Sequence, residues 1–97
     1  MARIRALAQI GGGSGIIDLT EMQTATDSFT AEVGKTYLLM SYKNNTDGSI
    51  SSGATEISRC NAFNITSQHV FAMVVKATAT TVKLVGSGNT IRYMALD

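Results

Sequence analysis

The stretch that decides the fold is His69–Leu96, which reads HVFAMVVKATATTVKLVGSGNTIRYMAL. It contains three strand-like runs separated by small polar residues, at Val70–Ala77, Thr81–Val85 and Thr90–Leu96. In the first run both alternating faces are apolar, which is typical of a strand covered on both faces or lying between subunits. A helix is the competing interpretation, but the β-branched valines and threonines favour a strand.

The second and third runs alternate as half-buried strands do. Val82 and Leu84 share one face of the second run, and Ile91 and Tyr93 share one face of the third. The loop between them, Gly86–Asn89, contains two glycines that adopt positive φ at little steric cost. We therefore expect three successive antiparallel strands in the last third of the chain.

The sequence before this stretch carries further strand and turn signals. Ser28–Val33 alternates, and Thr36–Lys43 follows it as a second strand after a Gly-Lys turn. Asn44–Gly48 is a strong turn signal, because Asp-Gly tolerates left-handed φ. Ser49–Cys60 alternates weakly, and Gly53 within it indicates a bulge or a loop.

These patterns predict an all-β fold, a single antiparallel β-sandwich that is jelly-roll-like and spans residues 16–97. We expect roughly six to eight short strands with a turn about every ten residues. The chain has 97 residues, which is enough to bury a core in one domain without disulfides or metals. Ten positions are predicted to form that core. They are Phe29, Tyr37, Leu39, Phe71, Met73, Val75, Val82, Leu84, Ile91 and Tyr93.

Residues 1–15 are predicted to form an N-terminal arm followed by a glycine hinge, Gly11–Gly15. A short apolar segment on such a hinge would be poorly anchored in its own core. We therefore expect it to dock on a neighbouring subunit or a larger assembly. The candidate assembly residues are Arg3, Ile4, Arg5, Leu7 and Ile10. The alternative is a first strand followed by a loop.

The amino-acid composition excludes several classes of function and of structural feature. The formal net charge of +1 gives no bulk attraction to nucleic acid or to a membrane surface. No apolar run approaches the roughly 20 residues of a membrane span, and Ala6–Ala8 is too short for the apolar region of a signal peptide. The single cysteine, Cys60, rules out an intrachain disulfide and is expected to be an ordinary, partly buried thiol.

Acidic and basic residues are segregated along the chain. Asp18–Glu32 contains four acidic residues and no basic one, whereas Arg59, Lys76, Lys83 and Arg92 dominate the second half. A solvated face is the simpler interpretation of this pattern. Charge matching between neighbouring copies of the chain is the alternative.

No motif predicts catalysis, a cofactor or a metal. Gly34-Lys35-Thr36 looks like the end of a phosphate-binding loop, but Phe29 stands where that motif needs glycine, and no helix follows. Ser67 and His69 would share a strand face at roughly 7 Å, which is too far for direct proton transfer. One histidine and one cysteine would need two carboxylates to complete a zinc site. We therefore predict a protein that is not an enzyme.

Carbohydrate binding is the main rival function. Small β-sandwich modules often hold sugars against exposed aromatic rings, but this chain has no tryptophan and three tyrosines. Tyr42 lies next to a polar loop, so Tyr42, Asn44 and Asn45 are the candidate glycan contacts. More often such a tyrosine caps the edge of a core. In this alternative the chain is a small carbohydrate-binding or adhesin-type β-sandwich module.

Two runs resemble parts of a known group of proteins. Residues 29–39, FTAEVGKTYLL, are similar to the strand, Gly-Lys turn and aromatic-rich strand that open small jelly-roll modules in tailed-bacteriophage virion proteins. Residues 81–96, TVKLVGSGNTIRYMAL, look like the last hairpin of such modules. Together the two runs cover under a third of the chain.

The resemblance implies a structural, non-enzymatic virion component that is made in the host cytoplasm. It implies a homo-oligomer, with a trimer favoured, whose N-terminal segment attaches to other virion proteins. A host-surface glycan is a further possible partner. The sequence has no coiled-coil shaft or long repeat, so a capsid decoration, head-fibre or tail-adaptor protein fits better than a full-length fibre.

Overall fold

The computed structural model describes residues 4–6, 15–43, 48–65 and 68–97, and it confirms the predicted all-β antiparallel sandwich. Ten strands and one 3₁₀ turn, Leu19–Glu21, make up the regular structure of these residues. The strands are β1 Ile4–Ala6, β2 Gly15–Ile17, β3 Gln23–Thr26, β4 Ser28–Thr30, β5 Thr36–Lys43, β6 Ile50–Ser52, β7 Ala54–Ile65, β8 Gln68–Ala77, β9 Thr81–Leu84 and β10 Thr90–Ala95.

Strands β3 to β10 form one antiparallel sheet in the order β6-β9-β4-β3-β10-β5-β8-β7. The pairs β7–β8, β6–β9 and β5–β10 are nested inside one another along the chain. Nesting of antiparallel pairs is a feature of the jelly roll. β5 is an interior strand, because it pairs with β10 on one side and with β8 on the other.

A bend at Asp27 carries the chain from one layer of the sandwich to the other. β3 pairs with β10, whereas β4 pairs with β9, and Asp27 lies between them with a φ of 64°. The Asp27 N–H donates to the Asn89 carbonyl (3.0 Å), and the Asp27 carbonyl accepts from the Leu84 N–H (2.9 Å). The Asp27 carboxylate accepts from the Asn89 backbone N–H (2.7 Å) and side-chain amide (3.0 Å). Such bends are how a sheet turns a corner.

The two ends of the sheet meet at Gly53. β6 and β7 are its first and last strands, yet only this residue separates them in the chain. Gly53 has a φ of 89°, and a Cβ built there would overlap the Thr81 carbonyl oxygen. Its carbonyl accepts from the Thr78 N–H (2.7 Å). The sheet therefore curls until its ends touch at this corner, and only glycine fits the junction.

The predicted core is confirmed. Nine of the ten predicted residues are buried in one cluster, and the tenth, Tyr93, is half-buried against it. Phe29 links the layers, with its ring stacked on Tyr93 at 4.3 Å between centroids and tilted against Tyr37 at 5.5 Å. The core therefore lies between the inward-facing alternate residues of the curled sheet, as the period-two pattern requires.

Three local expectations need correction. Gln23–Thr26 carried no strand prediction, but it forms β3 and pairs with β10. Ser49–Cys60 is split at Gly53, where the sequence indicated a break, and its second part continues to Ile65. Cys60 is exposed rather than partly buried, because it lies opposite Ala72 on the outward side of the sheet.

The first two strands form a separate two-stranded antiparallel sheet. Ile4 pairs with Ile17, and Ala6 pairs with Gly15, the last residue of the predicted hinge. Ile4 and Arg5 thus belong to β1, as in the alternative of a first strand. The other candidate assembly residues, Arg3, Leu7 and Ile10, lie outside the described residues.

Candidate functional site

The outward surface of β5 and β8 is apolar, although the inward surface of the same strands already forms the core. Pairing across the two strands sets Leu38 beside Val74, Met40 beside Ala72 and Tyr42 beside Val70. We call these six residues the outer apolar face. Met40 is 38% exposed and Tyr42 is 37% exposed, and the other four are partly exposed. The sequence predicted that Val70–Ala77 would be covered on both faces or lie between subunits. In the single chain the outer face is partly exposed, so coverage within the chain is not found.

A shallow depression of about 190 Å³ lies on this face. Leu38, Ala72 and Val74 line it together with Ser58 and Cys60 of β7. It exists because alanine and serine are too short to fill the space between their larger neighbours. An apolar side chain of an adjoining molecule would fit such a depression.

Basic residues border the outer apolar face. Arg92 of β10 lies directly opposite Met40 of β5, and Lys76 follows Val74 by two residues on the same side of β8. Elsewhere on the chain, the 3₁₀ turn combines acidic with exposed apolar side chains. Those residues, the acidic turn, are Ile17, Asp18, Leu19 and Glu21, of which Leu19 is 56% exposed.

Strand β7 closes the open end of the core with a polar pair. The Arg59 guanidinium donates to Glu56 through Nη2 (2.7 Å to Oε1) and Nε (3.2 Å to Oε2). The same guanidinium lies over the Phe71 ring, 5.4 Å from its centroid. The hydrogen bond from Arg59 holds the pKa of the Glu56 carboxyl below its usual value. The pair therefore covers a core aromatic ring that the last strand of the sheet would otherwise leave uncovered.

β7 is poorly suited to regular pairing with another strand. It pairs with β8 and is the last strand of the sheet, so its other edge is free among the described strands. Register shifts between Glu56 and Ser58 and between Asn61 and Phe63 interrupt it. Bulges bend a strand and break up a continuous edge. The outer apolar face is therefore a more regular contact surface than the edge beside it.

A second concave region lies on the inward side, where β3, β4, β5 and β10 converge. This tyrosine cleft has a volume of about 280 Å³. Its polar and aromatic lining comes from Gln23, Thr30, Glu32, Tyr37 and Tyr93. The Tyr93 hydroxyl donates to Gln23 Oε1 (3.0 Å), and the Tyr37 hydroxyl accepts from the Glu32 N–H (2.8 Å).

The sequence did not reveal this cleft. Tyr37 and Tyr93 were predicted as core residues, and both do pack against the core. Gln23, Thr30 and Glu32 were not singled out, because their approach depends on β3 pairing with β10 and β4 diverging from it. One sequence feature pointed toward the cleft. Tyr93 lies near the end of an alternating run, and its hydroxyl needs a hydrogen-bonding partner.

Of the glycan contacts suggested by the sequence, Tyr42 is the one that the structure describes. Tyr42 lies on the outer apolar face, where its backbone neighbours are Val70 and Thr90. Asn44 and Asn45 lie outside the described residues, as does Ser67 of the Ser-His pair. His69 is half-buried at the start of β8.

In the part of the chain that the structure describes, no three His, Cys, Asp or Glu side chains gather as metal ligands would. No helix in residues 4–6, 15–43, 48–65 or 68–97 has the length and apolar character needed to cross a membrane. Comparison with family models, curated proteins and solved structures found no match to the chain.

Proposed function

We propose that the chain is a non-enzymatic structural subunit that assembles with copies of itself through the outer apolar face. The observation that carries the proposal is that β5 and β8 present apolar side chains on both sides, with Met40 and Tyr42 open to solvent. Burying such side chains in a neighbouring copy removes apolar surface from water and stabilises the assembly.

A second copy is the favoured occupant because the chain carries a complementary surface. The outer apolar face is bordered by Arg92 and Lys76, whereas the acidic turn combines Leu19 with Asp18 and Glu21. Contact between two different patches is heterologous, and it closes into rings such as trimers when the rotation allows. The net charge of +1 adds little repulsion between copies.

We further propose that this assembly belongs to a tailed-bacteriophage virion, as a capsid decoration or fibre/adaptor protein. The support is the likeness of residues 29–39 to the opening of small virion jelly-roll modules, together with the jelly-roll nesting of the strands. Residues 81–96 add no support, because β9 pairs with β4 and β6 whereas β10 pairs with β3 and β5, so they do not form the expected last hairpin. In this proposal the segment that includes Arg3, Ile4, Arg5, Leu7 and Ile10 attaches to other virion proteins. β1 and β2 support an attachment role, because their two-stranded sheet is separate from the eight-stranded one.

Light scattering coupled to gel filtration tests self-assembly. We expect the wild-type chain to be oligomeric and the Met40→Glu variant to be monomeric, because the variant places a charge in the contact surface. The variant should still fold, since Arg92 lies beside the new carboxylate on β10. Val33→Glu is the matched control. Val33 is 62% exposed in the turn between β4 and β5 and should tolerate the change without loss of the oligomer. A monomeric wild-type chain, or an oligomer that survives Met40→Glu, would refute the proposal.

Co-sedimentation with virions of the phage that encodes the chain tests the second part. The full chain should pellet with particles, and a variant lacking residues 1–14 should stay in the supernatant while keeping its β-rich circular dichroism spectrum. Equal pelleting of both forms would exclude attachment through the N-terminal segment. Absence of the full chain from particles would exclude a virion role.

A further inference from the structure

We infer that the tyrosine cleft binds a neutral saccharide. The cleft combines aromatic walls with amide, hydroxyl and carboxylate groups within about 280 Å³, which is close to the lower end of the size range of small-ligand sites. This inference stands apart from self-assembly, because Tyr37 and Tyr93 of the cleft lie on the opposite side of β5 and β10 from the outer apolar face.

The walls of the cleft are held in place before any ligand arrives. Phe29 stacks on the Tyr93 ring with 19° between the ring planes, which fixes that ring against the core. The Tyr93 hydroxyl is oriented by Gln23 Oε1. A site whose side chains are already ordered loses less entropy on binding, so a small ligand gains affinity.

The polar groups retain hydrogen-bonding capacity for a ligand. The Tyr37 oxygen accepts from the Glu32 N–H, and a tyrosine hydroxyl also has one hydrogen to donate. Gln23 uses its carbonyl oxygen toward Tyr93, while the amide group of a glutamine carries two further donors. The Thr30 side chain and the Glu32 carboxylate add acceptors at the mouth, where both residues are exposed.

A sugar matches this lining better than a charged ligand does. A pyranose has apolar C–H faces for the tyrosine rings and hydroxyls that both donate and accept. The Glu32 carboxylate at the mouth repels phosphate and other anions. Lys35 lies 3.5 Å from Glu32 and is occupied by that carboxylate, so it does not create a cationic site.

Two-dimensional amide NMR tests the inference. The probes are the methyl glycosides of glucose, galactose, mannose and N-acetylglucosamine, each titrated into the full chain. At least one should give saturable shifts at the amides of Gln23, Thr30, Glu32 and Tyr93. Tyr93→Phe keeps the stacked ring and Gln23→Ala keeps the strand, and each should weaken binding about 3- to 10-fold by removing one or two hydrogen bonds.

Tyr42→Phe is the control, because it makes the same chemical change on the outer apolar face and should leave the affinity unchanged. Absence of saturable shifts with all four glycosides would overturn the inference. It would also fall if Tyr42→Phe weakened binding while the cleft variants did not, or if inorganic phosphate displaced the glycoside. None of these outcomes bears on the oligomeric state measured by light scattering, so the two proposals fail separately.

Discussion

At the residue scale, two glycines with similar φ angles differ in the space around them. Gly53 (φ 89°) lies against the Thr81 carbonyl, whereas Gly34 (φ 91°) has no atom within 4 Å of a built Cβ. We expect Gly34→Ala to lower the free energy of unfolding by about 1–2 kcal/mol, the cost of a left-handed alanine. Gly53→Ala should lower the free energy of unfolding by that amount and by about 1–3 kcal/mol more, because the added methyl group overpacks the junction. Urea unfolding measures both, and equal losses would mean that the junction is more open than described.

Phe71 provides a direct test of the core and of the register of β8. Its side chain is 1% exposed and packs beneath Gly48 and the Arg59 guanidinium. Phe71→Ala should lower the free energy of unfolding by about 3–5 kcal/mol, because it leaves a cavity. Val33→Ala, at an exposed position outside the proposed interface, should change it by less than about 0.5 kcal/mol. A loss below about 1 kcal/mol for Phe71→Ala would contradict the register.

Single residues differ in how far their roles can be predicted from sequence. Leu84 could be assigned to the core because it lies on the apolar face of an alternating strand. Phe71 and Val75 were assigned with it because they share one face of β8 and have large side chains, although both faces of that run are apolar. Asp27 could not be recognised as a corner, because its positive φ is stabilised by Asn89, which is 62 residues away in the chain. A conformation stabilised by distant hydrogen bonds leaves no local signal.

At the scale of elements, β7 should make stability depend on pH. Arg59 lowers the pKa of Glu56 below its usual 4.5, so the folded chain binds fewer protons there than the unfolded chain. The pair therefore stabilises the fold above about pH 4.5, and this contribution is lost as the pH falls through the lowered pKa. Because the pair is partly exposed, Glu56→Gln should cost about 0.2–1 kcal/mol at neutral pH.

Urea unfolding at neutral pH and near pH 2 measures this effect. Wild type and Glu56→Gln should differ at neutral pH and converge in acid. Arg59→Lys should lower the free energy of unfolding at neutral pH by less than Glu56→Gln does, since lysine keeps the charge but not the two-bond geometry. A difference of the same size at both pH values would show that Glu56 acts through packing rather than through its charge.

The elements that the sequence missed share a physical cause. β3 has the sequence QTAT, which lacks large apolar residues, and it is a strand because β10 supplies its hydrogen bonds. Tertiary context commonly overrides weak strand propensity in this way. The tyrosine cleft depends on the same pairing, so it could not be predicted before β3 was placed. By contrast, β9 and β10 were predictable from alternation within each run, and β5 and β8 from their runs of apolar, aromatic and β-branched residues.

At the scale of the whole molecule, self-assembly should make thermal stability depend on protein concentration. If the oligomer forms through the outer apolar face, mass action stabilises it further as concentration rises, and Tm rises with it. Met40→Glu should abolish this dependence, and Val33→Glu should preserve it. Differential scanning calorimetry over a hundredfold concentration range would show this. A constant Tm for wild type would contradict assembly through this face.

The topology of the whole molecule could be predicted only in part from the sequence. Strand alternation and turn spacing predicted a sandwich of short antiparallel strands, and the absence of long helical patterns supported it. The order of the strands could not be derived, because pairing between β3 and β10 or between β6 and β9 joins segments far apart in the chain. The sequence of Val70–Ala77 indicated the outer apolar face, because both sides of this strand are apolar and only one of them can pack against the core of its own chain.

The position of β10 has a consequence for how the protein is made. It lies between β3 and β5, so neither of these strands is fully paired until Thr90–Ala95 has left the ribosome. Synthesis proceeds from the N-terminus, and long-range strand pairing is slow. The nascent polypeptide therefore emerges with one edge of β3 and one edge of the apolar β5 unpaired, and we expect it to be a client for chaperones. A premature stop codon before Thr90 would yield an insoluble product rather than a shortened domain.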